Sequence, residues 1–182
     1  MGQQLGVTTV LLALMLGRLP EASAQVPSGE PSDVGSIAAL VQASYETMSG
    51  PAGTPRQWPR DSSLYMPGAI FVAVRERDGR VAVTRLTAQE YRQTRFPRFE
   101  ANGLYETEVG RRIERFGNVA QVRSVAVARR TPNGPIDGQY VNYFQLYFDG
   151  RRWWIAGMVW DEGRPAAPIP KAWIGHWEEV TR

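Results

Sequence analysis

The chain has 182 residues, a formal net charge of +3 and no cysteine. The length suits one domain with a proper core, and the missing cysteines exclude disulfides, thiolate nucleophiles and thiolate metal sites. The positive charge is almost all arginine, and its basic pairs lie among acidic residues, so the sequence does not predict nucleic acid binding.

The first 24 residues have the features of a cleaved signal peptide. A short apolar run from Val7 to Leu16 precedes Ala22-Ser23-Ala24, a small-x-small cleavage pattern. The run is too short to span a bilayer, so we expect no stable membrane insertion. No basic residue precedes the run, which leaves a wrongly assigned start or an uncleaved anchor as alternatives. We predict an exported bacterial protein, periplasmic or secreted, that begins near Gln25.

Residues 25–32 form a Pro, Gly and Ser linker, and we expect the folded domain to cover residues 33–165. Apolar residues between Ile37 and Met48 recur at helical spacing. Ser32 or Asp33 is the expected N-cap, and Gly50-Pro51 is the expected stop. This pattern predicts an amphipathic helix packed on another element.

Two further helices are predicted. Residues 60–65 can form a short second helix that ends at Pro67-Gly68. Thr87 and Glu90 have the spacing of a capping box, which opens a third helix. Pro97 is expected to end that helix near Phe96, because proline lacks the N–H that a helix interior needs.

The strands begin with a hairpin, in which Asp78-Gly79 separates residues 69–75 from residues 80–84. Four longer runs, expected as a meander, cover residues 104–116, 119–130, 139–148 and 153–161. Residues 166–182 are expected to be a tail outside the domain. The order of elements predicts an α+β fold with helices on one face of a bent sheet.

The last two of these runs are apolar on both faces, which requires a cover on both sides. Helices can cover one face, and a second copy of the chain is the natural cover for the other. We therefore predict a homodimer.

Three segments carry a resemblance to a known family: Tyr45 to Ala69, Glu114 to Ala120, and Phe144 to Asp161. In their order and spacing they resemble the nuclear transport factor 2-like superfamily, and within it the SnoaL-like bacterial domains. The resemblance implies a cone-shaped, curved mixed or antiparallel sheet with three helices on its concave face, also described as cystatin-like. It further implies a pocket between helices and sheet and dimers formed through the outer face. Some members are isomerases, cyclases, dehydratases or epoxide hydrolases.

Enzymes of that superfamily pair an Asp or His base with a group that stabilises an oxyanion. Asp161, on a mostly apolar strand face, is a weak candidate for the catalytic residue, although capping the strand is the commoner role of such a residue. Glu106 and Glu108 share their strand parity with Arg112 and Glu114, so we expect a solvated or salt-bridged face there. His176 lies in the tail, where we expect packing or solvent exposure.

The residues predicted to line the pocket are Tyr45, Trp58, Tyr65, Arg123, Asn142 and Trp160. For the aromatic residues a core position is the alternative, and for Asn142 it is a structural hydrogen bond. Arg123 could pair with a carboxylate, but the Asp-Arg-Asp spacing of the epoxide hydrolases is not visible. The single histidine and scattered carboxylates give no metal-ligand set, and no cofactor is expected.

Three functions remain open, because a fold does not fix a function. The first is the binding of a small apolar or aromatic molecule. The second is a cofactor-independent isomerase, dehydratase or cyclase that uses general acid-base catalysis. The third is a non-catalytic dimeric structural partner whose cavity is filled by its own side chains.

Overall fold

The structure is a computed structural model that describes residues 28–181. The predicted signal peptide and its cleavage site lie outside the described residues. These residues form four α-helices: α1 (Pro31–Val34), α2 (Ile37–Met48), α3 (Trp58–Leu64) and α4 (Ala88–Asn102). Within residues 28–181, no helix combines the length and apolar character needed to cross a membrane.

The N-cap of α2 differs from the prediction. Ser36 caps this helix, with its Oγ accepting a hydrogen bond of 3.1 Å from the backbone N–H of Ala39. Asp33 instead belongs to the short helix α1 and binds Arg60 at 2.8 Å. The chain bends at Gly35-Ser36, so one predicted helix becomes two.

Helix α4 begins as predicted and ends later. The capping box is confirmed, since the side chain of Thr87 accepts from the N–H of Glu90 and the Glu90 carboxylate accepts from the N–H of Thr87. The helix nevertheless continues through Pro97 to Asn102. Phe96 is fully buried and Phe99 packs against the core, so tertiary contacts on both sides of the proline hold the helix together.

Seven strands form one sheet in the order β2-β1-β6-β5-β4-β3-β7. Their bounds are β1 (Tyr65–Arg77), β2 (Arg80–Thr87), β3 (Tyr105–Phe116), β4 (Val119–Arg129), β5 (Gly138–Phe148), β6 (Trp153–Glu162) and β7 (Trp177–Thr181). The β1–β6 and β3–β7 pairs are parallel, and the other pairs are antiparallel. The predicted α+β fold, with helices on a curved mixed sheet, is confirmed.

The C-terminal segment corrects the prediction of a tail outside the domain. Strand β7 pairs with β3 at the edge of the sheet. Just before it, the N–H of Gly175 donates to the carbonyl of Val109 at 2.7 Å, and the N–H of Arg111 donates to the carbonyl of His176 at 2.8 Å. The segment is therefore hydrogen-bonded to the sheet.

A bulge in β3 sets which of its side chains face the helices. Glu108 pairs with Ala126 while Gly110 pairs with Val125, so Val109 is an extra residue. One extra residue reverses the alternation of the strand. Even-numbered residues face inward before Val109, and odd-numbered residues such as Ile113, which is buried in the core, face inward after it.

A second bulge does the same in β6. Leu146 pairs with Ile155 while Gln145 pairs with Gly157, which leaves Ala156 as the extra residue. Ile155 and Met158 both belong to the buried core, although strict alternation would place them on opposite faces. Both bulges lie beside a glycine and both change the composition of the inner face.

The core lies between the inner face of the sheet and helices α2, α3 and α4. Its largest fully buried apolar side chains are Leu40, Val41, Leu64, Phe96, Val122, Phe144 and Ile155. Val125 and Val127 are also buried, but they lie outside this cluster, on the side of β4 that faces away from the helices. The sheet is therefore partly covered on its outer face as well.

Candidate active site

A cavity of about 210 Å³ opens between α2, α4 and the inner face of the sheet. Its wall includes seven aromatic residues: Tyr45, Tyr65, Tyr91, Phe99, Tyr140, Phe144 and Trp160. Ring-to-ring contacts fix several of these side chains, including the edge contact of Tyr91 with Trp160, whose centroids are 5.8 Å apart. The aromatic part of the wall thus presents apolar rings together with the hydroxyl groups of its tyrosines.

Four of the six residues predicted to line the pocket do border this cavity: Tyr45, Tyr65, Asn142 and Trp160. The other two do not. Trp58 packs edge-on against Phe96 with ring centroids 5.5 Å apart, as part of the core beside the cavity. Arg123 lies on the outer face of β4, where its guanidinium is 3.9 Å from the centroid of the Trp173 ring.

The predicted catalytic candidate Asp161 also lies outside the cavity. The bulge at Ala156 places Trp160 on the inner face and therefore Asp161 on the outer face. The Asp161 carboxylate is bound by Arg164 at 2.8 Å and accepts from the N–H of Glu162 at 2.7 Å. It thus forms an ion pair at the end of the strand.

Glu106 is one of three carboxylates that do line the cavity, with Asp137 and Glu162, and sequence reasoning placed Glu106 on the wrong face. The expectation of a solvated face shared with Arg112 and Glu114 is corrected by the bulge at Val109, which separates the parity of Glu106 from theirs. The available signal was Gly110, because an isolated glycine within a strand often marks a bulge.

The electrostatic state of Glu106 follows from its surroundings. Burial alone raises its pKa to about 7, since no described residue offers the carboxylate a hydrogen bond or an ion pair. Tyr45, Tyr91 and Tyr140 line the same cavity, and burial, with the charge of Glu106 adding to it, raises the pKa of all three. A carboxyl of this kind exchanges a proton near neutral pH.

Glu108 lies deeper and has a different role. Its carboxylate accepts from Ser124 Oγ at 2.5 Å and forms an ion pair with Arg111 at 3.0 Å. Because the only hydroxyl proton of Ser124 goes to Glu108, the 2.8 Å bond between Tyr45 and Ser124 must have Tyr45 as its donor. Asn142 Nδ2 donates to the Tyr45 hydroxyl oxygen at 2.8 Å. The chain of bonds thus runs from Asn142 through Tyr45 and Ser124 to Glu108.

The tyrosines of the wall fall into two groups. The Tyr45 hydroxyl is already occupied by Asn142 and Ser124. Within residues 28–181, no side chain or backbone group hydrogen-bonds the hydroxyls of Tyr65, Tyr91 or Tyr140. Burial raises the pKa of all three, so they stay protonated and remain able to donate to a molecule in the cavity.

Arginines surround the mouth of the cavity. Arg75 and Arg77 come from β1, Arg95 and Arg98 from α4, and Arg130 from the end of β4. The acidic residues of the lining are Glu106, Asp137 and Glu162, and Asp137 is paired with Arg130. The described residues contain no group of three or more His, Asp or Glu side chains arranged to hold a metal ion.

No protein-family model and no curated protein matches the sequence. Solved structures do match. A protein of unknown function with a cystatin-like fold from Nostoc punctiforme PCC 73102 aligns with a TM-score of 0.51 and 11% identity over 72% of this chain and 91% of its own. A protein of unknown function from Mycobacterium tuberculosis aligns with a TM-score of 0.51 and 18% identity over 74% of this chain and 75% of its own. A nuclear transport factor 2-like protein from Shewanella baltica OS155 aligns with a TM-score of 0.49 and 12% identity over 70% of this chain and 91% of its own.

Sequence identities this low indicate a shared fold and nothing more specific. The alignment with the first of these structures covers most of the described chain, so the seven-stranded sheet with its helices belongs to the same general fold. The resemblance seen in the sequence implied a cystatin-like fold, and the match to the Nostoc punctiforme protein confirms that fold for this chain.

Proposed function

We propose that the protein binds a small organic molecule with an apolar or aromatic body in the cavity between α2, α4 and the sheet. The observation that carries this proposal is an aromatic cavity of about 210 Å³ into which unsatisfied hydroxyl and carboxyl groups project. Protein interiors rarely leave voids larger than a water molecule. Aromatic side chains with a few convergent polar groups are typical of a ligand site, and a volume of about 210 Å³, below the roughly 300–1,000 Å³ of drug-sized sites, suits a small ligand.

The competing view, a purely structural partner, predicts a cavity filled by the protein's own aromatic side chains. Trp58, the aromatic residue best placed in sequence to fill it, packs against Phe96 instead. The rings that do form the wall pack edge-on against one another, as Tyr45 does against Phe144 with ring centroids 6.3 Å apart. The space is thus maintained by the packing of the wall.

Native mass spectrometry of protein purified from its own organism tests for a co-purified molecule. A fragment screen followed by amide chemical shifts then locates the site. The variant Ala128→Leu adds bulk to the cavity lining, and the control Gln121→Leu places the same side chain at an exposed position of the same strand. We expect binding to be lost in the first variant only. Fragments that shift only outer-face residues, or bind both variants equally, would contradict the proposal.

A second candidate function is proton transfer, and the pKa of about 7 at Glu106 favours it. Its carboxylate would remove a proton from a carbon next to a substrate carbonyl, while the Tyr91 or Tyr140 hydroxyl donates to the developing oxyanion. Returning the proton to another carbon would complete an isomerisation. Glu106 takes the role that the sequence had suggested for Asp161.

Solvent exchange tests this second function. In D₂O, the protein is incubated with small aryl ketones and incorporation of deuterium next to the carbonyl is followed by NMR. We expect Glu106→Gln to slow exchange by about 10²-fold or more, and Asp161→Asn to leave it unchanged. Equal rates for the wild type and Glu106→Gln would exclude Glu106 as the base.

The homodimer remains a proposal, supported by apolar side chains on the outer face of the sheet. Phe116 is 72% exposed and Val119 55%, and Tyr143 and Val159 are exposed beside each other on β5 and β6. Sedimentation equilibrium of the wild type and of Val159→Glu is the direct test. A monomeric wild type at micromolar concentration would remove this proposal.

Export to the periplasm or the medium also remains a proposal, and it rests on the sequence of the first 24 residues alone. The mass of the protein purified from its own organism gives the test. A chain that begins near Gln25 supports cleavage, and an intact N-terminus in the cytoplasm contradicts it.

A further inference from the structure

Four arginines at the mouth of the cavity have no partner in the described protein. Among residues 28–181, no carboxylate lies within ion-pair distance of Arg75, Arg77, Arg95 or Arg98. Their guanidinium groups likewise donate no hydrogen bond to a carbonyl there. Four positive charges with unused donors thus border one cavity.

Other arginines of this chain show the contrast. Arg60 binds Asp33 and Glu46, Arg92 binds Asp61, and Arg164 binds Asp161 and Glu76. Arg123 has no ion pair and stacks on Trp173. Arg80, Arg85, Arg129 and Arg151 also lack an ion pair among the described residues, but they do not border the cavity, and what distinguishes the cavity arginines is that four of them line one site.

Arg75 and Arg95 are the two members of this group that are half-buried, and they come from two different elements, β1 and α4. Both line the same cavity as Tyr140 and Tyr91. Burial raises the pKa of these two tyrosines, and the charges of Arg75 and Arg95 oppose that rise at Tyr140 and Tyr91 respectively. An acceptor placed between them would meet two guanidinium groups and two phenol donors. Guanidinium groups favour carboxylates as partners because the two geometries match.

We propose that the ligand of this cavity is a small organic acid, whose apolar or aromatic body contacts the aromatic wall and whose carboxylate lies between Arg75 and Arg95. This inference rests on the proposed binding function and specifies its ligand class. The arginines outnumber the acidic residues of the lining, Glu106, Asp137 and Glu162. Glu106, whose pKa is about 7, is in part uncharged at neutral pH and then repels an anion less.

Two matched probes separate the charge from the apolar body. They are 2-naphthoate and 2-naphthylmethanol, which share one ring system and differ in the anionic group. Binding of each is measured by calorimetry, and the site is located by amide chemical shifts, at low and at physiological salt. The protein variants are Arg75→Gln, Arg95→Gln, and as control Arg151→Gln, which removes the same charge in the β5–β6 turn, away from the cavity lining.

We expect 2-naphthoate to bind in the cavity at least about tenfold more tightly than 2-naphthylmethanol, since hydrogen bonds to charged groups are the stronger ones. Arg75→Gln and Arg95→Gln should each weaken 2-naphthoate about tenfold and leave 2-naphthylmethanol unchanged, while Arg151→Gln changes neither. Added salt should weaken the anion alone.

Equal affinity of the two probes in the cavity of the wild type overturns the organic-acid inference and leaves the proposed binding function standing. The same holds if the rim variants weaken both probes alike. If neither probe shifts any cavity residue, the inference and the proposed function for aromatic ligands both fail. The comparison of probes on the wild type needs no variant, so a rim variant that fails to fold does not affect the decision.

Discussion

The replacement of Glu106 by glutamine should change how stability depends on pH. In the folded protein the pKa of this carboxyl is about 7, against a usual value of 4.5. Between these values the folded chain holds a proton that the unfolded chain has lost. The free energy of unfolding therefore falls as the pH rises through this window, and the loss is complete above pH 7. Glutamine cannot ionise, so this decrease in the free energy of unfolding does not occur in the variant.

The size of the effect follows from the two pKa values. Their difference of about 2.5, at 1.36 kcal/mol for each, corresponds to about 3 kcal/mol. This is an upper limit, because the cavity is open at its mouth and water that enters it solvates the carboxylate. We expect Glu106→Gln to gain between about 1 and 3 kcal/mol relative to the wild type when the pH is raised from 4 to 8.

Urea denaturation at half-unit steps from pH 4 to pH 8 measures this difference. Other ionisable groups titrate in the same range, but they do so in both proteins, and the difference between the two curves removes them. Glu162→Gln is the matched control, since it removes a carboxylate that also borders the cavity. A difference curve for Glu106→Gln that is flat with pH would refute the buried, unpaired state of this residue.

Three further substitutions test the structure outside the pH argument. Asp61→Asn should lower the free energy of unfolding in chemical denaturation by about 3 kcal/mol, because it leaves Arg92 buried without the carboxylate that it binds at 2.7 Å. A decrease below about 1 kcal/mol would mean that the ion pair is solvated. Trp58→Ala should destabilise the fold by about 2 kcal/mol or more through its contact with Phe96 and leave cavity affinity nearly unchanged. Gly110→Ala should release the C-terminal segment to hydrogen exchange and proteolysis, since its Cβ would lie 1.9 Å from the carbonyl oxygen of Trp173; unchanged protection there would contradict this packing.

Local signals in the sequence predicted most of the elements. The Asp78-Gly79 turn and the Thr87–Glu90 capping box depend on neighbouring residues only, and both appear as predicted. The C-terminal strand was missed because its pairing with β3 is a contact between distant parts of the chain. The five residues of β7 contain no local signal that identifies β3 as their partner.

The site was harder to predict because its composition depends on strand parity. Asp161 and Glu106 were assigned to faces by counting alternate residues, and each count crossed a bulge. One extra residue moves every later side chain to the other face. Gly110 and Gly157, each adjacent to a bulge, were the residues in the sequence that could have indicated these irregularities. Tyr45 on α2 and Asn142 on β5, whose predicted positions depended on no count across a bulge, do border the cavity.

The bulge at Val109 has two consequences that belong together. It turns Glu106 and Glu108 toward the helices, which supplies the cavity with its titratable carboxyl. It also leaves the Val109 carbonyl available to accept from the N–H of Gly175, while Gly110, lacking a side chain, admits the backbone of Trp173. Because both depend on one irregularity in β3, the C-terminal segment helps to hold the strand register that keeps Glu106 in the cavity. Loss of that segment should therefore reach the site through β3, without any direct contact with a ligand.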